Sequence, residues 1–349
     1  MKKGHKAFMT HPNHKAGARK IAVRLALGLL ALGAVIGVAA CGGSASGAGS
    51  IDLVAYSTPQ QVYEDKLEPA FQDTEQGDGV DFSNSFGSSG DQSRAVEAGQ
   101  PADVVEFSLE PDMTRLVDAS IVSPDWNQNE HAGIVTDSVV TLMVRPGNPK
   151  NIQSFDDLAR DDVEVINPNP ATSGGARWNI MAIYGSQVEA GKSEAEAQDF
   201  VKQVLANTSV QDDSARDSLN TFASGKGDVL VGYENEAIQA DQEGIELEYV
   251  TPDGTILIEN PIAVTKDAGE SAQPFVDFLY SDEGQQAFAD AGYRPVVKSV
   301  FEKNADKFPV PPGLFTIADF GGWSEVADPF FGDDGWVIQA EKELGNPTE

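Results

Sequence analysis

Short runs rich in β-branched residues alternate with helical patterns from Ile51 onward, and this order constrains the fold more than any other feature of the chain. Such alternation is typical of α/β proteins with largely parallel sheets. The predicted strands are Ile51–Tyr56, Asp103–Phe107, Ser138–Val144, Val163–Ile166, Asp228–Gly232, Leu247–Val250 and Ile256–Val264.

The clearest predicted helix is Glu194–Ala206. Its apolar residues recur at helical spacing along one face, and Ser193 with Glu196 forms the pattern of a capping box. A second helical pair is predicted at Pro274–Tyr280 and Glu283–Asp290.

Turn residues at 145–149 follow an apolar strand and indicate a domain boundary. If the chain crosses there into a second lobe and returns near 251–260, two lobes joined by two strands enclose a cleft, which is a common place for a ligand. We therefore predict one lobe from residues 51–142 plus about 260–349, with its C-terminal part packing across both lobes, and a second from residues 143–259.

The N-terminus predicts export. Residues 1–24 hold seven cations and no acid, and they lead into an apolar stretch that ends at Ala40, as in a secretory signal. Val38-Ala39-Ala40-Cys41 resembles the bacterial lipobox, in which the cysteine is lipidated and becomes the new N-terminus. We predict a signal peptide over residues 1–40, a lipid anchor on Cys41 and a flexible tether over residues 41–50. The alternative is that Cys41 is a lone structural cysteine.

Composition excludes several classes of function. The 349 residues include 24 Lys and Arg against 55 Asp and Glu, a formal net charge of −31. Without the seven N-terminal cations, 17 basic residues face 55 acidic ones, a net charge of −38. This balance argues against nucleic acid or an anionic membrane surface as a partner. Cys41 is the only cysteine and His131 the only histidine beyond residue 14, so a disulfide framework and a multi-histidine metal site are excluded.

Three segments place Ser or Gly residues at the start of a predicted helix, directly after a strand. They are Tyr56–Pro59, Phe86–Gln92, which follows a short strand at Val80–Phe82, and Thr172–Asn179. In the first, Ser57 and Thr58 are predicted to cap a helix that has Pro59 in its first turn. The first turn of a helix carries unpaired N–H donors and the positive end of the helix dipole, so each segment is a candidate anion site. The alternative is that each is an ordinary capped helix start.

Several motifs in the same order resemble those of the sulfate/thiosulfate-binding proteins that deliver substrate to ABC importers. They are Ser173-Gly-Gly-Ala-Arg-Trp-Asn179, Asp228-Val-Leu-Val-Gly-Tyr-Glu-Asn-Glu-Ala237, Tyr280-Ser-Asp-Glu-Gly-Gln285, Tyr293-Arg-Pro295 and Phe315-Thr-Ile-Ala-Asp-Phe-Gly-Gly-Trp323. The likeness runs from about Val54 to Gly322. It implies an α/β, two-lobe, periplasmic-binding-protein-like (type II) fold with the ligand cleft between the lobes.

By this resemblance, neutral donors hold a dehydrated sulfate or related oxyanion. The implied backbone donors are Ser57, Ser89, Gly174, Gly175 and Ala215, and Ser173 supplies a hydroxyl. This chain departs from the family pattern at two positions. The family has Asp before Pro where this chain reads Ser57-Thr58-Pro59, and its indole donor lies where this chain has Tyr233. The resemblance also implies ABC permease subunits as partners, a monomer, no cofactor and no metal.

Because sulfate has only acceptors, no Asp or Glu is expected to touch the ligand. Three acidic residues lie close in sequence to the proposed donors, and their positions in the fold test this expectation: Asp91, Asp212 and Asp213. Arg177 and Arg216 are expected to orient loops or to pair with carboxylates.

Other functions remain open at this point. Another tetrahedral oxyanion, namely molybdate, tungstate or phosphate, fits the same kind of site. A sensory or adhesion lipoprotein would keep the two-lobe body without transport. A serine hydrolase is disfavoured because no G-x-S-x-G motif is present and only His131 could act as a histidine base.

Overall fold

The computed structural model describes residues 49–348. The predicted signal peptide, Cys41 and most of the predicted tether lie outside these residues. Ser50, assigned to the tether, is the first residue of a strand because it pairs with Asp81.

Strands and helices alternate along residues 49–348, as the sequence predicts. The strands are β1 (Ser50–Tyr56), β2 (Asp81–Gly87), β3 (Val104–Glu106), β4 (Ile134–Val144), β5 (Val165–Ile166), β6 (Thr208–Val210), β7 (Val229–Tyr233), β8 (Glu248–Val250), β9 (Leu257–Val264) and β10 (Arg294–Pro295). The helices are α1 (Gln60–Val62), α2 (Glu68–Gln72), α3 (Ser89–Glu97), α4 (Glu110–Asp118), α5 (Gly174–Glu189), α6 (Glu194–Ala206), α7 (Ala215–Ala223), α8 (Glu234–Gln242), α9 (Ala272–Leu279), α10 (Asp282–Asp290), α11 (Lys298–Lys303), α12 (Trp323–Phe331) and α13 (Trp336–Leu344). A π-helical turn at Tyr63–Leu67 joins α1 to α2, and short 3-10 helices lie at Phe155–Ala159 and Ile317–Phe320.

The strands form one sheet in the order β2-β1-β3-β9-β4-β7-β5-β6, with β8 and β10 both pairing with β4. At one end β1 pairs in parallel with β2 and β3, and at the other β5 pairs in parallel with β6 and β7. The central pairs that involve β4 and β9 are antiparallel. The sheet therefore consists of two parallel halves joined by a central antiparallel pair.

Two long strands belong to both halves. The first part of β4, up to Val139, pairs with β9, whereas Val140–Val144 pairs with β7. Likewise, β9 pairs with β4 up to Pro261 and with β3 from Ile262. The chain thus crosses from one half to the other in mid-strand, before the turn at 145–149.

The hydrophobic core consists of several clusters of buried side chains. One cluster contains Ile51, Tyr63 and Phe275 from around β1 and α9. The largest cluster contains Trp178 and Val201 from α5 and α6. The C-terminal residues Phe315, Trp323, Phe331 and Val337 pack into this same largest cluster. The predicted division of the chain into two lobes stays a prediction.

Local predictions had mixed outcomes. The helix Glu194–Ala206 and its Ser193–Glu196 capping box are confirmed. The prediction that Ser57 and Thr58 cap the first helix is wrong, because Pro59 is the N-cap of α1 and no side chain caps it. The strand predicted at Val80–Phe82 runs from Asp81 to Gly87 along the edge of the sheet.

No helix among residues 49–348 has the length and apolar character needed to cross a bilayer.

Candidate functional site

The structure brings all seven predicted ligand-binding residues to one small cavity of about 10 Å³. They are Ser57, Ser89, Ser173, Gly174, Gly175, Ala215 and Tyr233. Four further residues line the same cavity and were not predicted, namely Tyr56, Ser88, Ser108 and Ser214. The cavity lies where β1, β3 and β7 end and where α3, α5 and α7 begin.

Three helix starts supply backbone donors to the cavity. Ser89 is the first residue of α3, Gly174 and Gly175 begin α5, and Ala215 is the first residue of α7. N–H groups in a first helical turn have no acceptor within their own helix. Within the described residues, these four N–H groups donate to no other protein atom. Together with the helix dipoles they form a cluster of neutral donors suited to an anion.

Three of the serine hydroxyls at the cavity donate to carboxylates outside it. Ser88 donates to Asp91 at 2.5 Å, Ser89 to Asp112 at 2.6 Å, and Ser214 to Asp217 at 2.7 Å. These side chains therefore have no proton left for a ligand.

Ser173 differs from these serines. Its Oγ caps α5 by accepting from the Ala176 N–H at 3.3 Å. The Ser173 proton has no protein acceptor within the described residues, so it remains available for a ligand.

Tyr233 is fully buried, and its hydroxyl lies 2.5 Å from the Ser108 Oγ. Burial raises the pKa of Tyr233 above its ordinary value, so the phenol stays neutral and keeps its proton. Ser108 is itself held in place because its carbonyl accepts from the Trp178 indole at 2.8 Å and from the Asn260 amide at 3.0 Å. The phenol thus stands where the resemblance places an indole, and it is paired with a serine.

Among residues 49–348, no carboxylate lines the cavity. Asp91 accepts from Arg94 and Ser88, and the Asp212 carboxylate accepts from Ser218 and Thr221. The third candidate, Asp213, accepts from the Thr172 hydroxyl through its backbone carbonyl. A ligand in this cavity therefore meets donors without a nearby negative group in the wall.

The two arginines near the site also stay out of the cavity wall. Arg216 forms an ion pair with Glu236, with Nε 3.2 Å from Oε1, and it donates to the Thr58 carbonyl at 3.1 Å. Arg177 donates to the Pro170 carbonyl at 2.9 Å and lies over the Phe331 ring. Through their hydrogen bonds to backbone carbonyls, both arginines hold loops in position, as expected.

Glycine is required where α5 meets the cavity. A Cβ on Gly174 would lie 2.6 Å from the Ser108 Cβ, and a Cβ on Gly175 would lie 2.8 Å from a Tyr233 ring carbon. Only glycine lets the helix start approach this closely, and the same approach brings its N–H groups to the ligand.

A wider groove of about 1050 Å³ lies between α3 and α4 on one side and α12 on the other. Its wall holds charged side chains of both signs, and none of the seven predicted residues lines it. Among residues 49–348, no group of three or more His, Cys, Asp or Glu is placed to hold a metal ion.

A small cavity of neutral donors at the ends of strands and the starts of helices is the arrangement of a protein that binds a small anion. The comparisons with known proteins agree. A model of the family described as bacterial extracellular solute-binding protein matches residues 51–294.

Individual relatives narrow the class. The sulfate-binding protein of Synechococcus elongatus is 39% identical over 331 residues, which cover 90% of this chain and 94% of the relative. The thiosulfate-binding protein of Pseudomonas aeruginosa is 33% identical over 314 residues, covering 85% of this chain and 93% of the relative. The solved structure of the sulfate-binding protein SubI from Mycobacterium tuberculosis superimposes with a TM-score of 0.78 at 45% identity, covering 80% of this chain and 98% of SubI.

The chain therefore belongs to the bacterial extracellular solute-binding proteins and, among them, to the sulfate/thiosulfate-binding family. The predicted α/β, periplasmic-binding-protein-like fold is confirmed by the match to SubI.

Proposed function

We propose that this protein captures sulfate, and also thiosulfate, outside the cytoplasm and delivers it to the permease of an ABC importer. The observation that carries the proposal is the cavity at which three helix starts present N–H donors and no carboxylate of the described residues lines the wall. The relatives named for binding sulfate or thiosulfate support the same ligand.

The chemistry of sulfate fits such a wall. Sulfate carries no proton at neutral pH, so every oxygen accepts and none donates. A wall of donors satisfies it without a charged side chain, whereas a carboxylate in contact would repel it. A buried polar group left without a partner costs about 1–3 kcal/mol, so the match between donors and acceptors decides the preference.

In the proposed site, Ser57, Ser89, Gly174, Gly175 and Ala215 donate through their backbone N–H groups and Ser173 donates through its hydroxyl. Tyr233 contributes through the hydroxyl pair that it forms with Ser108. Closure of the two halves around the ligand, by bending of β4 and β9, is expected from the crossing of both strands between the halves.

The experiment that tests this function is calorimetric titration of the full chain, solubilised in mild detergent, with sulfate, thiosulfate and molybdate in turn. We expect the tightest binding for sulfate or thiosulfate. If molybdate binds tightest and sulfate does not compete, the proposal is wrong.

A matched pair of variants tests the role of Ser173. Ser173 and Ser193 are both N-cap serines whose Oγ accepts from the N–H three residues on, but only Ser173 lines the cavity. Ser173→Ala should weaken sulfate binding by roughly 10- to 150-fold, the scale of a hydrogen bond to a charged group. Ser193→Ala should cost helix stability alone, about 1 kcal/mol. Equal sulfate affinities of the two variants would show that Ser173 does not bind the ligand.

We further propose that the protein acts as a monomer held to the outer face of the cell membrane by lipid on Cys41. The lipobox-like Val38–Cys41 and the acidic body, which has no basic footprint for anionic lipid, support an anchor made by lipid alone. The unchanged protein should incorporate labelled fatty acid, and Cys41→Ser should incorporate none while its sulfate affinity stays unchanged. Equal incorporation of the label by both proteins would refute the lipid anchor on Cys41.

A further inference from the structure

A buried carboxyl lies behind the anion cavity, at the end of β3. Glu106 is the last residue of this strand and is fully buried. It pairs with Ala55 on β1, directly before Tyr56 and Ser57, which both line the cavity. Ser108, two residues further along the chain, lines it as well. Two residues span at most about 7 Å, so the Glu106 backbone lies within about 7 Å of residues in the cavity wall.

The Glu106 side chain faces an apolar core. Side chains alternate along a strand, so Glu106 lies on the same face of β3 as Val104, which belongs to the cluster around Phe275. Tyr63 donates its hydroxyl proton to Oε2, whereas Oε1 is buried and has no hydrogen-bond partner within the described residues. Burial raises the pKa of Glu106 to about 8, and the bond from Tyr63 opposes this shift only in part.

The other titratable groups that face Glu106 are phenols. They are Tyr56 on β1, Tyr63 in the π-helical turn, Tyr280 after α9 and Tyr293 before β10. Burial raises the pKa of each phenol, so all four stay neutral near pH 8. On β9 the residue opposite Glu106 is Ile262, which is apolar. Burial also raises the pKa of Asp137 to about 8, but this carboxyl on β4 faces Glu259 and Arg294 instead.

A negative charge on Glu106 would oppose an anion in the cavity. The wall offers neutral donors, and among residues 49–348 no cation pairs with this carboxyl. At a separation of roughly 10 Å, a unit charge weakens the binding of a dianion at least about fourfold even at the dielectric constant of water. The effect is larger in a buried site, where the effective dielectric constant is lower.

We propose that Glu106 controls the charge behind the cavity, so that sulfate binds tightly while this carboxyl is neutral and, at alkaline pH, sulfate binding takes up a proton from solvent onto the carboxylate. This inference rests on the proposed function, in which sulfate occupies the cavity. The bound dianion raises the pKa of Glu106 further, so the complex holds the proton more tightly than the free protein does. Release of sulfate lets the proton leave again.

Calorimetric titration of the full chain in detergent with sulfate at pH 7 and pH 9 tests this coupling. The affinity at pH 9 should be about three to ten times lower than at pH 7, because Glu106 is mostly charged in the free protein at pH 9. Titration in two buffers of different ionisation enthalpy gives the number of protons taken up per sulfate. We expect about 0.2–0.9 at pH 9 and about 0.1 or less at pH 7.

Glu106→Gln keeps the shape of the neutral carboxyl and can still accept from Tyr63, but it carries no charge at any pH. It should bind sulfate at pH 7 within about threefold of the unchanged protein, lose the difference between pH 7 and pH 9, and take up no proton. Glu341→Gln is the matched control, because Glu341 is also fully buried but lies on α13, away from the cavity lining. It should keep the pH dependence and the proton uptake of the unchanged protein.

Tyr63→Phe is a second variant that leaves the carboxyl in place. Without the bond from Tyr63 the pKa of Glu106 rises, so the fall in sulfate affinity should begin at a higher pH than in the unchanged protein. A merely structural role of Glu106 would not move this pH.

The outcomes separate the two proposals. The same pH dependence and the same proton uptake in the unchanged protein and in Glu106→Gln overturn the inference and leave the proposed function standing. Loss of sulfate binding by Glu106→Gln at pH 7, together with an unmoved pH profile in Tyr63→Phe, also overturns it. Failure of sulfate to bind the unchanged protein at pH 7 overturns the proposed function and this inference with it.

Discussion

Replacing Gly174 by alanine tests how closely the walls of the cavity approach each other. The added Cβ would lie 2.6 Å from the Ser108 Cβ and 2.7 Å from its Oγ, which is too close for real atoms. Gly174 begins α5, whereas Ser108 follows β3 in the other half of the sheet. The clash therefore falls between the halves rather than within one of them.

The free-energy cost of Gly174→Ala depends on where the clash occurs. Overpacking a tight contact costs about 1–3 kcal/mol. If the halves separate in the absence of ligand, this cost is felt only when they close, so the affinity for sulfate should fall by roughly 5- to 150-fold. Alanine is a better helix residue than glycine by about 0.5–1 kcal/mol, so the unliganded variant should be at least as stable as the unchanged protein.

Calorimetric titration with sulfate and thermal unfolding without sulfate measure the two effects separately. Gly254→Ala is the matched control, because the nearest atom to its added Cβ is 3.9 Å away. An affinity of Gly174→Ala within about threefold of the unchanged protein would refute the close approach. A drop of several degrees in the Tm without sulfate would show that the clash is already present in the free protein.

Three further predictions concern stability. Burial raises the pKa of Glu106 to about 8, so the folded protein holds a proton that the unfolded chain releases at lower pH, and stability falls as pH rises towards 8. Glu106→Gln should reduce the slope of the free energy of unfolding against pH by up to about 1.4 kcal/mol per pH unit. Urea unfolding between about pH 5.5 and 7.5 measures this slope, and an unchanged slope would contradict the prediction. Glu234 and Arg294 form a buried ion pair with contacts of 2.7 and 3.0 Å. Glu234→Gln should therefore lower the free energy of unfolding by about 3–5 kcal/mol in the same assay. A loss under about 1 kcal/mol would contradict this prediction. Sulfate at about 100 times its Kd should stabilise the fold by about 2.7 kcal/mol and raise the Tm by roughly 3–5 °C, whereas chloride at equal ionic strength should not.

Features set by neighbouring residues could be predicted from the sequence. The bounds of α6 follow from Ser193, Glu196 and the apolar face between them, all within one local segment, and the structure agrees at both ends. The longer strands were predicted for a similar reason, because their β-branched runs are continuous. The edge strand β2 was predicted too short because its residues are largely polar and only partly buried.

Features set by distant residues could not be derived from pattern alone. The seven candidate residues were named through resemblance, and the structure places them at one cavity. Ser108 and Tyr56 were missed because their place at the cavity depends on strand ends that meet only in the folded sheet. Ser57 and Thr58 look like caps, yet the helix begins one residue later at Gln60, after Pro59 takes the N-cap position.

In the proposed site, neutral donors hold a sulfate ion and no titrating group contacts it. The most direct test is the sulfate affinity of the full chain, measured by calorimetry at several pH values between about 5.5 and 7.5. Since the part of the chain that the structure describes contributes no carboxylate and no histidine to the lining, we expect saturable binding with an affinity that stays constant to within about threefold across this range. The absence of saturable binding, or an affinity that changes about tenfold per pH unit, would mean that the site is not the neutral one described.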